Sequence, residues 1–165
     1  MSRSSAPLAR KFDEIEMRRG IAFEGWHEAN DFEVHAEVAL AEVRSMAAYL
    51  VENGCRLASV FAEDRTDAGY GFLIYYVFDH IEDRRFLLVR TSVPADRPEF
   101  PSVAAEIPAV NWQEREIQDW FGLVAEGHPN PRRVALHDNW PEIHPLRKDF
   151  SIDTVLPPFE GEQHV

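Results

Sequence analysis

The sequence predicts an α+β fold: a mainly antiparallel sheet covered by helices, continued by an extended proline-rich C-terminal arm. Three observations predict it. Alternating or wholly apolar runs between Phe32 and Val93 mark four strands. Two segments carry apolar residues at helical spacing. Beyond Gly122 the prolines 129, 131, 141, 145, 157 and 158 forbid long hydrogen-bonded ladders.

Residues 1–29 read as a lead-in. Within them, residues 6–19 place Leu8, Phe12 and Ile15 at i, i+4 and i+7, the narrow stripe of an amphipathic helix. Residues 30–123 read as the α+β domain. From Phe32 to Val38, Phe32, Val34, Ala36 and Val38 alternate with Glu33, His35 and Glu37, a half-buried strand. Leu40, Val43, Ala47 and Leu50 then form a helical stripe that stops at Asn53-Gly54. Strands follow at Cys55–Phe61, Tyr70–Phe78 and Arg84–Val93. The middle one, YGFLIYYVF, is apolar on both faces and belongs inside the sheet. Asp79–Asp83 is short and polar, as a hairpin connection should be. After a proline-punctuated stretch to Pro108, a helix is expected over about Trp112–Phe121, within residues 111–122. Asn111 serves as its N-cap, Glu114 closes a capping box and Gly122 is the stop. Arg115 and Asp119 have i,i+4 ion-pair spacing, and Ile117, Trp120 and Phe121 make the buried stripe. Residues 124–165 form the arm.

With 165 residues the chain suits one domain. Its net charge of −12 repels nucleic acid and anionic membrane surfaces. The single cysteine, Cys55, excludes an internal disulfide or an iron–sulfur ligand set and fits a reducing compartment. No apolar run reaches the roughly 20 residues of a membrane helix, and the N-terminus has no signal-type apolar core. The chain is expected in the cytosol, or at a membrane only through partners, without direct insertion.

Catalytic signatures are weak. His128, His137 and His144 lie nine and seven residues apart, and a metal-dependent hydrolase using them is one reading. Gly-His-Pro is more simply a turn with a hydrogen-bonded ring. Glu114 and Glu116, two apart on a helix, cannot share one substrate atom. No serine elbow, dinucleotide loop or phosphate loop occurs. Between His128 and Asp149 the balance of Arg132, Arg133, Arg147 and Lys148 against Asp138, Glu142 and Asp149 is +1, leaving −13 elsewhere. Such arginines suit carboxylate contacts, either with a partner or with the acidic body of the same chain. A self-associating module with swapped arms is a further alternative.

Glu-Arg-Glu-x-x-Asp-x-Phe-Gly-Leu, Gly-His-Pro-Asn-x-Arg-Arg and Trp-x-x-x-His-Pro-Leu-Arg-Lys-Asp-Phe together resemble the signature of the 30 kDa subunit of respiratory complex I. The family includes the corresponding subunit of bacterial NADH–quinone oxidoreductase and relatives in membrane-bound nickel–iron hydrogenases. The resemblance covers about residues 30–150. It implies a non-redox accessory subunit in the peripheral arm, docked on a large 49 kDa-type subunit and near iron–sulfur subunits, which supports electron transfer from NADH to quinone. It would lie on the cytoplasmic side of the membrane through those partners. No cofactor is implied in this chain; iron–sulfur clusters, and FMN or nickel–iron, belong to the partner subunits. The implied partner-binding residues are Glu114, Arg115, Glu116, Asp119, Phe121 and Gly122 of a docking helix. Gly127, His128, Pro129, Arg132 and Arg133 form a charged turn, and Pro145, Leu146, Arg147, Lys148 and Asp149 begin the arm. Trp120, Ala125, Pro131 and Ala135 depart from the family's usual residues. The close from Pro157 to Glu162 comes earlier than in complex I subunits and resembles a joint in hydrogenlyase-type large subunits, so the equivalent hydrogenase subunit is the main alternative. Expressed alone, the arm should fray or collapse onto its own domain.

Overall fold

The computed structural model describes residues 20–151 apart from residue 83. The stripe at Leu8, Phe12 and Ile15 and the close from Pro157 to Glu162 lie outside the described residues. Strands β1 (Phe23–Glu28) and β2 (Glu33–Val38) lead to helix α1 (Val43–Glu52), then to β3 (Cys55–Arg65), β4 (Gly71–His80) and β5 (Arg85–Val93). A second unit holds β6 (Glu99–Pro101), helix α2 (Asn111–Phe121) and β7 (Val124–Glu126).

The large sheet has the order β1-β2-β5-β4-β3. The expected antiparallel character holds for β1–β2, β3–β4 and β4–β5. The exception is β2–β5, which run parallel, Val34 beside Leu87 and Ala36 beside Val89. Connectivity forces this. After β2 the chain crosses through α1 to the far edge and returns by two hairpins, so β5 arrives beside β2 in the same direction.

Alternation decides which face is covered. Val34, Ala36 and Val38 of β2, Leu87, Val89 and Val93 of β5, and Phe72, Ile74, Tyr76 and Phe78 of β4 are buried. They join one core with Val43, Met46, Ala47 and Leu50 of α1 and Ile117 and Phe121 of α2. Each such large side chain contributes about 1.5–3 kcal/mol by leaving water. In α1, Asn53 ends the helix as read from sequence, its side-chain amide donating to the Tyr49 carbonyl at 2.8 Å.

Three local expectations need correction. Phe23–Glu28, assigned to the lead-in, is strand β1; it is largely exposed and held by backbone pairing to β2, so hydrophobic pattern could not reveal it. Strand β3 runs on to Arg65 because β4 pairs with it along its whole length, and an irregularity between Leu57 and Ser59 breaks the alternation there. Val124–Glu126, placed in an irregular arm, pairs in parallel with β6. Thus β6-α2-β7 is a small crossover unit, and it fixes where α2 ends and the arm begins.

Candidate docking surface

Helix α2 begins after a 3₁₀ turn at Pro108–Val110, with no side-chain cap. The capping box is therefore absent. Glu114 turns under the helix and is fully buried. The Ser102 hydroxyl donates to its Oε2 at 2.5 Å and the Val103 N–H to its Oε1 at 2.8 Å. Burial pushes its carboxyl above the ordinary glutamate range, and these hydrogen bonds offset the push only in part. His128 Nε2 lies 3.9 Å from the same carboxylate. The Asn130 N–H donates to His128 Nδ1 at 3.0 Å, so the hydrogen sits on Nε2, which donates to the Asn111 carbonyl at 3.1 Å. Gly-His-Pro is thus the turn with a bonded ring that the sequence suggested, and Gly127 enters it at φ +79°. Arg44 of α1 braces this corner, donating to the Ser102 and Glu126 carbonyls at 3.0 and 3.2 Å.

The expected Arg115–Asp119 ion pair is absent; both side chains hold the arm's backbone instead. Arg115 donates to the Arg132 and Arg133 carbonyls at 2.5 and 2.8 Å, and Gln118 to the Pro131 carbonyl at 2.9 Å. Asp119 Oδ2 accepts three consecutive N–H groups, from Val134, Ala135 and Leu136, at 2.9, 2.8 and 3.1 Å. Three converging amides make an anion-binding concavity, here filled from within the chain.

Further along, the Leu146 N–H donates to the Trp120 carbonyl at 3.1 Å, and His144 Nδ1 donates to the Asp119 carbonyl at 3.0 Å. The His144 ring lies on Gly122, which closes α2 at φ +70°; a Cβ there would come within 2.5 Å of the ring. The backbone N–H of Lys148 donates to Asp64 Oδ2 at 2.7 Å. Burial is the largest influence on Asp64 and opposes its ionisation, but bonds from Thr66 and Lys148 together hold its carboxyl below the usual range. Arg147 sits 5.3 Å above the Phe72 ring. Arg133 donates to the Trp140 carbonyl at 2.7 Å and pairs with Glu142 at 2.8 Å, while Arg147 pairs with Asp149 at 3.2 Å.

The family-implied residues therefore fall into two groups. Glu114, Arg115, Asp119, Phe121, Gly122, Gly127, His128, Arg133 and Arg147 are engaged within the chain, as is the Lys148 backbone. Glu116, Pro129, Arg132, Leu146 and Asp149 are exposed, as is the Lys148 side chain, with Pro145 half-buried. Of the expected stripe, Ile117 and Phe121 are buried and Trp120 packs half-buried against the core. Sequence reasoning assigned no site role to Ser102, Arg44, Asp64, Gln118 or Trp112. The last had a signal: at 100° per residue Trp112 lies about 140° around the helix from Ile117, an aromatic on the outer face.

The histidines are dispersed among separate contacts, His137 edge-to-face with Trp140 at 5.6 Å, and His128 and His144 as above. Among the described residues no group of three or more His, Cys, Asp or Glu is placed to hold a metal. No helix among them is long and apolar enough to cross a membrane.

A family model described as respiratory-chain NADH dehydrogenase, 30 Kd subunit, matches residues 36–155. Formate hydrogenlyase subunit 5 of Escherichia coli K12 is 39% identical over 100 residues, 59% of this chain and 18% of that protein. Hydrogenase-4 component G of the same organism is 41% identical over 95 residues, 56% of this chain and 17% of the relative. An NADH-quinone oxidoreductase subunit of Salinispora tropica is 36% identical over 90 residues, 54% and 36% of the two chains. The matched part thus spans well under half the length of these relatives. Among solved structures, the trypsin-resistant fragment of Nqo5 (residues 1–134) superposes with a TM-score of 0.59 at 25% identity, covering 74% of this chain and 98% of that one. A chain of an archaeal membrane-bound sulfane sulfur reductase gives a TM-score of 0.74 at 20% identity, covering 94% and 95%, a likeness of fold.

Proposed function

The chain belongs to the respiratory-chain NADH dehydrogenase 30 kDa subunit family, and on that premise we propose that it is a non-redox docking subunit of a complex I-like assembly. It holds a large 49 kDa-type subunit and neighbouring iron–sulfur subunits in the peripheral arm, so that electrons pass from NADH to quinone through clusters those partners carry. FMN belongs with those partners too. It is attached to the cytoplasmic side of the membrane through them.

One observation carries this reading. The arm is laid along α2 by contacts to its backbone, from Arg115, Gln118 and Asp119. Backbone clamping leaves arm side chains such as Arg132 and Leu146 outward, and a shape fixed in advance lowers the ordering cost of association. Three titratable side chains around α2 are taken up by structural bonds: Glu114 with Ser102, His128 with Asn111, His144 with Asp119.

A second reading, the equivalent subunit of a membrane-bound nickel–iron hydrogenase, is favoured by the 39% and 41% identities to formate hydrogenlyase subunit 5 and hydrogenase-4 component G. Affinity capture of the tagged chain from its native membranes, with mass spectrometry of what co-purifies, tests both. A 49 kDa-type subunit without nickel-ligating cysteine pairs supports the first, and one with two Cys-x-x-Cys motifs supports the second. Capture of no large subunit overturns both.

A further inference from the structure

We infer that the ridge formed by Trp112, Arg115 and Arg132 is the primary anchor for the large subunit, and that the anchored surface is an apolar socket rimmed by an aspartate or glutamate. This rests on the docking role proposed above and assigns its residues.

Trp112 is 65% exposed although its neighbours on α2 bury the inner face. A tryptophan left in water at the first turn of a helix forgoes the largest apolar burial of any side chain. Its ring is held in place: the Arg115 guanidinium stands 5.6 Å from the ring centroid while donating to the Arg132 and Arg133 carbonyls. One arginine therefore ties the indole to the segment that carries Arg132.

Charge indicates what fits there. The chain has 29 acidic and 17 basic residues, and Arg85, Arg90, Arg97, Arg133 and Arg147 each have a carboxylate partner. Arg132 is exposed and donates only to the amide oxygen of Asn130, at 3.1 Å; it has no carboxylate partner among the described residues. Glu116, one turn beyond Trp112, is also exposed. Arg115, Arg132 and Glu116 together carry +1 on a body of opposite sign, so the complementary surface brings a carboxylate to Arg132 and an apolar pocket to Trp112. Tryptophan and arginine are the side chains most enriched at interface hot spots. The adjacent Arg133 is a clip within the arm, occupied by Trp140 and Glu142.

The test measures capture of the large subunit by the full-length tagged chain and its W112A, R132E and F32A variants, with thermal melts of each. F32A removes an equally exposed aromatic (67%) from the β1–β2 turn. W112A and R132E should each lower affinity about thirtyfold or more, the hot-spot loss of ~2 kcal/mol at 1.4 kcal/mol per decade. F32A should be neutral, and the melting temperature of R132E should match wild type. Wild-type capture with W112A and R132E unchanged overturns this assignment and leaves the docking role standing. A change in self-association by light scattering, without a change in capture, makes a second copy the occupant and also overturns it. Absence of any large subunit from the wild-type sample overturns the docking role and the ridge with it.

Discussion

Replacing Asp119 by alanine should release the arm, and the size of the effect can be worked from the geometry. One carboxylate oxygen accepts three N–H groups, from Val134, Ala135 and Leu136, at 2.8–3.1 Å. A hydrogen bond to a charged group contributes about 1.5–3 kcal/mol. Three bonds on one oxygen do not add, and Val134 and Leu136 are only half-buried, so water recovers part of the loss. Asp119→Ala should therefore cost about 3 kcal/mol, near one well-made bond plus the desolvation of amides left without an acceptor. With a urea slope of about 2 kcal/mol per M, the unfolding midpoint should fall by ~1.5 M. Asp119→Asn keeps a side-chain oxygen facing the amides and should lose about 1 kcal/mol, the neutral-bond scale. Limited proteolysis gives a local readout, with cleavage around residues 132–136 quickening in the alanine variant. Unfolding of Asp119→Ala within ~0.5 kcal/mol of wild type, the range of an ordinary surface change, together with unaltered cleavage, would show that the three amides are not what holds the arm.

Other consequences concern two further buried carboxylates, Glu114 and Asp64, and the helix stop. Because burial raises the Glu114 carboxyl, the folded state holds its proton to higher pH than the unfolded chain; its contribution is full below the unfolded value of about 4.3 and is lost as pH rises through the folded value. Glu114→Gln should therefore gain on wild type between acid and neutral pH, and denaturant titrations that run parallel at all pH would refute this. Asp64 is lowered and has the opposite sign: its anchoring of Lys148 is present above the ordinary aspartate value and is lost as pH falls through the folded one. Asp64→Ala should accelerate tryptic cleavage at Arg147 and Lys148 at neutral pH, measured by the half-life of the intact chain. Gly122→Ala places a Cβ at φ +70° against His144 and should lose about 1–2 kcal/mol. The Gly122→Ala/His144→Ala double variant should lose less than the sum of its singles, a double-mutant coupling read from the melts.

The large elements were legible because their signals are local. Period two marked β2, period 3.6 marked α1 and α2, and a run apolar on both faces marked β4 as an interior strand. The signature from Glu114 to Phe150 was legible as a family resemblance, which needs residue identity and no geometry. β1 was not legible, since only Phe23 of its six residues packs against the core. Neither was the parallel β2–β5 pairing, which follows from where a hairpin fifty residues later returns.

The sequence by itself determined helices α1 and α2 and strands β2 to β5, where Asn53 and Gly122 stop the helices, and that residues 127–151 carry no helix or strand. The tertiary structure decided what the charged side chains do. An i,i+4 pair between Arg115 and Asp119 would contribute only ~0.3–0.5 kcal/mol at the surface, whereas the arm brings backbone N–H and C=O groups against α2 that need partners once water is displaced. Asp119, Arg115 and Gln118 meet that need, and Glu114 does the same for Ser102 and Val103. Long-range contacts of this kind leave no periodic trace, because the partner is chosen by the path of the chain and not by spacing along it.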